Sequence, residues 1–171
     1  MKYAMFLRGI NVGGVKVPMA DLRECLSELG LASIKTYLQT GNVIFDSSKT
    51  AGEIKPLIEK ALSDRFGYTA FVLIFPATIL KKVINHYPFA PTEHEHRYVI
   101  FCVRKSVIDE LISYQYKLDH TLEAIAPGDA VVYWKVPKDR STDTPFSKVL
   151  AKPKYKETTT NRNLNTLEKM V

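Results

Sequence analysis

The sequence of 171 residues predicts an α+β fold of two tandem units, each built on an antiparallel sheet. Residues 1–76 show the order strand, helix, strand, strand, helix, strand, and a similar order begins again at residue 93. Segment 77–92 between them has a helical pattern followed by the turn-forming sequence PFAP, which is typical of a linker. The order βαββαβ is that of a ferredoxin-like unit, so we expect two such units in this chain.

Hydrophobic periodicity and turn residues define the elements of the first unit. The first helix has Pro18 in its first turn and Gly30 just beyond its end, which is the usual asymmetry of helix termini. The tripeptide QTG separates two β-rich runs and predicts a hairpin. The predicted elements are strand 2–8, helix 18–29, strands 33–38 and 42–47, helix 51–66 and strand 68–75.

The second unit, residues 93–171, repeats this order less clearly. Its first helix begins at Ser106, a residue that favours helix starts, and Pro127-Gly128-Asp129 predicts its hairpin. No final strand is evident, because residues 152–161 are basic, rich in threonine and turn-like. The predicted elements are strand 97–103, helix 106–118, strands 121–126 and 130–136, and helices 145–151 and 162–170.

The charge of the chain is concentrated near its C-terminal end. The formal net charge is +6, and residues 135–171 contain nine basic and four acidic residues. A basic segment of this kind predicts a polyanionic partner, with RNA or DNA as the first choice. The alternative is a solvated basic surface without such a partner, and the composition is compatible with both.

The remaining composition excludes several classes of protein. With 46% hydrophobic and 25% charged residues, the chain is an ordinary globular protein rather than a disordered one. No apolar run is long enough to span a bilayer, and no signal-peptide pattern precedes the first strand, so we expect no membrane partner. Two cysteines, Cys25 and Cys102, do not make a disulfide framework, and the expected location is the cytoplasm.

The most informative stretch of the chain is LRGINVGG, residues 7–14. An apolar strand ends there in a glycine-rich turn, and a helix follows, an arrangement that exposes backbone N–H groups to anions. Side chains add further hydrogen-bond donors, and an arginine can bind a carboxylate or a phosphate with two parallel bonds. The candidate ligand-binding residues of this segment are Arg8, Asn11, Gly13, Gly14 and Lys16.

The predicted hairpin contributes a second set of candidates, Gln39, Thr40 and Asn42. In a βαββαβ unit, the loop after the first strand and the hairpin between the second and third strands open at the same edge of the sheet. We therefore expect the two segments to be neighbours that form one anion-binding site. The alternative is structural: the glycines serve tight turns, the asparagines bond local backbone and Arg8 pairs with a carboxylate.

Residues near the end of the chain, Arg162, Asn163 and Thr166, form a third candidate segment. They lie in a run of threonines and asparagines that follows several lysines, so they are suited to hold phosphate groups. The same stretch is equally suited to begin a helix, with Thr160 or Asn161 as the N-cap. Both interpretations remain open from the sequence.

The familiar motifs of phosphate, metal and nucleophile chemistry do not occur. Val15 stands where a P-loop needs its lysine, and the glycine spacing of the dinucleotide fingerprint is absent. The run EHEH at residues 93–96 has no second pair of ligands, so we expect no metal site and no cofactor. Neither cysteine has the surroundings of a catalytic thiol, and the sequence does not decide whether the protein is an enzyme.

Three separated motifs, LRGINVGG, TYLQTGNV and RNLNT, resemble those of a bacterial family catalogued as domain of unknown function number sixteen-ninety-seven (DUF1697). The resemblance covers nearly the whole chain. It implies a small cytoplasmic protein of two ferredoxin-like halves, without an established activity. An aromatic residue often found in the last motif is replaced here by Leu164.

The sequence leaves three functional hypotheses. The first is a protein that binds an anionic ligand, either nucleic acid or a nucleotide or other phosphorylated small molecule, at the Arg8 loop and the Gln39–Asn42 hairpin. The second is a small enzyme that clamps a phosphate- or carboxylate-bearing substrate with Arg8 and Arg162. The third is an interaction module in which all of these motifs are structural.

Overall fold

The computed structural model describes residues 1–171 and contains two compact units. The first unit comprises residues 1–80 together with Met170, and the second comprises residues 81–169 together with Val171. The division after Leu80 falls inside segment 77–92, which the sequence predicts as the connection between the units. It lies within a helix, Thr78–Asn85, rather than at the proline-rich turn.

The first unit is a four-stranded antiparallel sheet with two helices. The order of strands across the sheet is β2-β3-β1-β4, and every neighbouring pair is antiparallel, which confirms the predicted α+β topology. The elements are β1 (Lys2–Arg8), α1 (Met19–Glu28), β2 (Ala32–Tyr37), β3 (Asn42–Asp46), α2 (Ala51–Phe66) and β4 (Phe71–Pro76).

Side chains from one face of β1 and from both helices form the core of the first unit. Met5 and Leu7 alternate along β1 and pack against apolar residues of the helices, of which Leu22, Leu26, Ile54, Ile58 and Leu62 are fully buried. Each such residue contributes about 1.5–3 kcal/mol when removed from water. This burial keeps α2 helical through Pro56, although proline lacks the N–H of a helix interior.

The second unit has the same sheet topology. Its strands have the order β6-β7-β5-β8, with all neighbouring pairs antiparallel. The helix that spans the division is α3 (Thr78–Asn85). The further elements are β5 (Glu95–Cys102), α4 (Lys105–Ile112), a 3-10 helix (Ser113–Lys117), β6 (Ala124–Pro127), β7 (Val131–Pro137), α5 (Pro145–Leu150), a second 3-10 helix (Pro153–Tyr155), β8 (Thr159–Asn163) and α6 (Leu164–Glu168).

The final strand of the second unit, for which the sequence shows no evident segment, is β8. Its sequence TTNRN contains no apolar residue and therefore lacks the alternation that marks a strand. It pairs with β5 at the edge of the sheet, from Tyr98 opposite Asn163 to Cys102 opposite Thr159. The second unit is thus complete, and the helix predicted at 162–170 shortens to α6 because its first residues belong to β8.

Two further boundaries differ from the sequence prediction. The helix predicted at 106–118 is α4 followed by the 3-10 helix Ser113–Lys117. The strand predicted from residue 121 begins at Ala124, because Asp119 accepts a hydrogen bond from the backbone N–H of Thr121 at 3.0 Å and holds a turn there.

Trp134 lies at the centre of the second core. It packs parallel to Tyr98 with ring centroids 5.2 Å apart, and Phe146 meets it edge-on at 5.5 Å. Its indole Nε1–H donates to the carboxylate of Glu123 at 2.8 Å, and the backbone N–H of Phe146 donates to the same carboxylate at 3.0 Å. Glu123, only 1% exposed, therefore joins the sheet to the N-terminus of α5.

None of the helices combines the length and the apolar character needed to cross a bilayer.

Candidate ligand-binding cleft

The chain between β1 and α1, residues 9–18, forms an irregular loop with several left-handed residues. Gly9, Gly13 and Gly14 have φ values of 72°, 59° and 88°, and Asn11 has a φ of 55°. Glycine adopts this conformation without a steric penalty, and asparagine tolerates it better than most other residues. The spacing of the glycines therefore shapes the backbone of this loop, as the motif LRGINVGG predicts.

Asn11 holds the loop in this shape. Its side-chain oxygen accepts a hydrogen bond from the backbone N–H of Val17 at 2.9 Å, and its own backbone N–H donates to the carbonyl of Val15 at 2.6 Å. Its side-chain amide donates to the carbonyls of Gln39 at 2.5 Å and Val17 at 3.3 Å. The polar atoms of this side chain are thus used within the protein, so Asn11 shapes the cleft rather than offering a free donor to a ligand.

The hairpin between β2 and β3 lies directly beside this loop. The backbone N–H of Leu7 donates to the carbonyl of Gly41 at 2.8 Å. A Cβ atom at Gly41 would lie 2.6 Å from the Cβ of Leu7 and 2.9 Å from a terminal carbon of Ile10, and Gly41 has a φ of 74°. Only glycine fits this contact. The structure therefore brings together the two segments that the sequence predicts as neighbours.

A cleft of about 420 Å³ opens between the loop and the hairpin. It is lined by residues 11–18 and Gln39, which include the predicted candidates Asn11, Gly13, Gly14 and Lys16. Lys16 is exposed and is the one charged residue of the lining. At one end the cleft reaches Pro18, the N-cap of α1, where no side chain caps the helix.

Arg8, Thr40 and Asn42 do not line this cleft, although the sequence predicts them as ligand-binding residues. Arg8 is half-buried at the end of β1, and burial lowers the pKa of its guanidinium. Asn42 is fully buried, and its amide donates to the carbonyl of Tyr37 at 3.1 Å and to the hydroxyl of Thr40 at 2.7 Å. Direct ligand contact by Asn42 does not fit this burial, and its role is to close the hairpin.

The third candidate segment lies in the second unit, whereas the cleft is formed by residues of the first unit alone. Arg162 and Asn163 belong to β8, and Thr166 lies half-buried in α6. The side-chain oxygen of Asn163 accepts from the backbone N–H of Asn165 at 2.9 Å, which caps α6. Arg162 donates to the carbonyl of Asn161 at 2.8 Å. The N-cap of α6 is therefore Asn163, whereas the residues expected to cap this helix, Thr160 and Asn161, lie in β8.

Two apolar residues near the cleft were not among the predicted candidates. Val12 lines the cleft and is 64% exposed, and Leu38, which precedes Gln39, is also exposed. Leu38 has a φ of 56°, which costs a bulky residue about 1–2 kcal/mol. An exposed leucine inside the turn LQTG is a signal that the sequence contains, because such turns ordinarily carry polar residues or glycine.

The cleft provides hydrogen bonding and positive charge but no group for proton transfer or nucleophilic attack. Its lining contains amide, glycine, valine and proline residues beside Lys16, without a histidine, carboxylate, hydroxyl or thiol side chain. General acid–base catalysis requires a titratable group within hydrogen-bond reach of the reacting atom. The cleft therefore offers a ligand hydrogen-bonding groups and one ammonium group.

Comparison with known proteins agrees with the fold and assigns no activity. Residues 1–133 match the profile of a family described as "Protein of unknown function (DUF1697)". A similar solved structure is that of the conserved bacterial protein SP0830 from Streptococcus pneumoniae, with a TM-score of 0.78 and 24% sequence identity. The match covers 99% of this chain and 96% of that one, and at this identity it supports the fold alone. No curated protein matches the chain.

Proposed function

Because the chain belongs to the DUF1697 family, whose description assigns no function, we propose from the geometry of the cleft that the protein binds a phosphate-bearing small molecule. The ligand class is a nucleotide or another phosphorylated metabolite. The observation that carries the proposal is the cleft itself, which combines Lys16, a glycine-rich loop and the uncapped N-terminus of α1.

The physical support is electrostatic. The N-terminus of a helix has a partial positive charge, and its first N–H groups have no partner within the helix. Pro18, which lines the cleft, is the N-cap of α1, and its side chain forms no hydrogen bond with them. Lys16 adds a full positive charge nearby, and Gly13 and Gly14 allow a ligand to approach the backbone closely.

The dimensions of the cleft fit a small molecule. Its volume of about 420 Å³ lies within the range of about 300–1,000 Å³ that is usual for ligand pockets. Val12 offers an apolar surface beside Lys16, which suits a ligand with an apolar or planar part attached to its phosphate. A nucleotide has this combination of groups.

The proposal also places the protein in the cytoplasm, where phosphorylated metabolites are abundant. Both of its cysteines, Cys25 and Cys102, are buried as free thiols, and a reducing compartment preserves this state.

Thermal unfolding and calorimetric titration test the proposal with inorganic phosphate, a nucleoside monophosphate, a nucleoside triphosphate and a sugar phosphate. A ligand at about 100 times its Kd should raise the Tm by about 5–10 °C for a chain of this size. The variant Lys16→Gln should lose most of this shift because the cleft loses its only cation.

The matched control is Lys60→Gln, which removes the same charge from an exposed residue of α2 outside the cleft. It should retain the full shift. If none of the four probes raises the Tm, or if the two variants lose the shift equally, the cleft does not bind phosphate in the proposed way.

A further inference from the structure

A second basic surface lies in the second unit, far along the chain from the cleft residues. It contains Tyr114, Tyr116 and Lys117 of the 3-10 helix that follows α4. Its other side is formed by Lys152 and the short 3-10 helix Pro153–Tyr155. We refer to Tyr114, Tyr116, Lys117, Lys152 and Lys154 as the tyrosine–lysine surface.

Two ammonium groups flank the ring of Tyr114. Lys152 lies 4.8 Å from the ring centroid and donates a hydrogen bond to the phenol oxygen at 3.1 Å. Lys117 lies 5.7 Å from the same centroid. Side chains three residues apart eclipse each other in a 3-10 helix, which is why Tyr114 and Lys117 share one face.

Two of the three lysines of this surface have no ion pair with a carboxylate. Lys154 forms an ion pair with Glu110, whereas neither Lys117 nor Lys152 pairs with a carboxylate. Residues 148–156 contain four lysines and no acidic residue. The hydrogen bond and the charge of Lys152 lower the pKa of the Tyr114 phenol, which agrees with a local excess of positive charge. The ammonium groups of Lys117 and Lys152, which both lie near the Tyr114 ring, repel each other, and a bound polyanion would relieve the repulsion.

An exposed aromatic ring, that of Tyr116, directly precedes Lys117 in the 3-10 helix. Tyr116 is 94% exposed, more than any other large apolar or aromatic residue of the chain. By contrast, Tyr3, Tyr133 and Trp134 on the two sheets are buried, so they are not accessible for base stacking of the kind seen on other ferredoxin-like sheets. An exposed ring next to lysines is the combination with which proteins hold single-stranded nucleic acids.

We propose that the tyrosine–lysine surface binds single-stranded nucleic acid, with the lysines on consecutive phosphates and Tyr116 stacked on a base. A duplex is a poorer fit because its bases are already stacked and paired, so an exposed ring does not reach their faces. An acidic polypeptide would use the lysines but would gain nothing from the planar face of Tyr116. The proposal is independent of the cleft in the first unit.

Fluorescence anisotropy with labelled uridine and deoxythymidine oligonucleotides of about 12 nucleotides tests this proposal on the full chain. If about three phosphates are neutralised, raising the salt from about 50 to about 200 mM should weaken binding about 20-fold. The double variant Lys117→Gln/Lys152→Gln should reduce that salt effect to about threefold, because two of the phosphate contacts are lost.

Tyr116 provides the second arm of the experiment. The variant Tyr116→Ala should weaken binding at least about fivefold, the lower end of the usual loss of one stacked base. The variant Tyr116→Phe keeps the ring and should bind within about twofold of the natural protein. Because the side chain is almost fully exposed, neither change should alter folding.

The matched control for charge is Lys60→Gln/Lys105→Gln, which removes two exposed lysines elsewhere and should retain the full salt effect. Lys16→Gln should also bind the oligonucleotide normally, which separates this proposal from that of the cleft. The proposal is overturned by equal affinity for poly-L-glutamate, by unchanged binding in Tyr116→Ala, or by an equal loss in the charge control.

Discussion

The two units have the same sheet topology but differ in the connection that follows their first strand. In the first unit, ten residues separate β1 from α1, and they form the cleft. In the second unit, only Val103 and Arg104 separate β5 from α4. A connection of two residues has no room for a loop with its own cavity. The comparison shows that one topology carries different surfaces, and that the length of the connection after the first strand decides whether a cleft forms there.

The second helix is longer in the first unit, whereas the connection that follows this helix is longer in the second unit. In the first unit, α2 has 16 residues and leads to β4 through a short turn. In the second unit, α5 has six residues, and residues 151–158 after it form a lysine-rich segment that contains a 3-10 helix. This segment supplies one side of the tyrosine–lysine surface. Each unit therefore elaborates a different connection, and the two proposed binding surfaces follow from that difference.

The largest expected effect concerns how these second helices begin. Glu123→Ala leaves the Trp134 indole and the Phe146 N–H without their shared acceptor in a buried site, so we expect a loss of about 4 kcal/mol of stability. In the first unit, Glu53 accepts from the backbone N–H of Thr50 at 2.8 Å in an exposed capping box, and Glu53→Ala should cost about 1 kcal/mol. Urea denaturation of both variants measures the difference.

Glu123→Gln is the control for this prediction, because it keeps one oxygen acceptor and should lose less than Glu123→Ala. Equal losses for Glu53→Ala and Glu123→Ala would contradict the view that the buried carboxylate organises the second unit.

The next effect compares the two hairpins. At Gly41, an added Cβ would meet the rigid Cβ of Leu7, and the φ of 74° is unfavourable for alanine. At Gly128, the added atom would meet the ring edge of Tyr133 and a methyl group of Val131, and the backbone there is not left-handed. We expect Gly41→Ala to cost about 3 kcal/mol and Gly128→Ala about 1 kcal/mol, as measured by chemical denaturation.

If Gly128→Ala lost as much stability as Gly41→Ala or more, the contact between the loop and the hairpin in the first unit would not be tightly packed. The argument for a preformed cleft would then be weaker.

The smallest effect concerns the charge at the start of α1. Asp21 lies in the first turn of this helix and offsets part of its positive partial charge. Asp21→Asn should therefore raise the affinity of the cleft for a phosphate ligand about threefold in calorimetric titration at low salt. Asp109→Asn, in α4 of the second unit, removes the same charge without that effect. A response of both variants alike would point to net charge rather than to the helix terminus.

Much of the fold follows from local sequence patterns. The apolar stripe of α2 and the continuous apolar run of β1 act over a few neighbouring residues, so their consequences are visible in the sequence. The strand β8 is not evident from the sequence because it is polar and is held by its pairing with β5, some 60 residues earlier. An edge strand of this kind is defined by its partner rather than by its own composition.

The candidate site likewise combines features that the local sequence indicates with features that depend on packing. The glycines of LRGINVGG and their place between a strand and a helix indicate a loop that can receive an anion, because backbone conformation depends on local sterics. The separation of candidates into cleft-lining residues such as Lys16 and buried supports such as Asn42 depends on which groups lose contact with water. Burial results from packing between segments distant in sequence, and no local pattern records it.

For this chain, composition and periodicity suffice to specify two α+β units and the approximate place of a polar edge, since both depend on short-range preferences of the backbone. The roles of Asn11 and Glu123 emerge once the chain is folded, because their hydrogen bonds to Gln39, Trp134 and Phe146 join residues at least 11 positions apart in the sequence. The contact of the Tyr114 ring with Lys152, 38 residues further on, has the same origin, as it requires two separate segments of the second unit to meet.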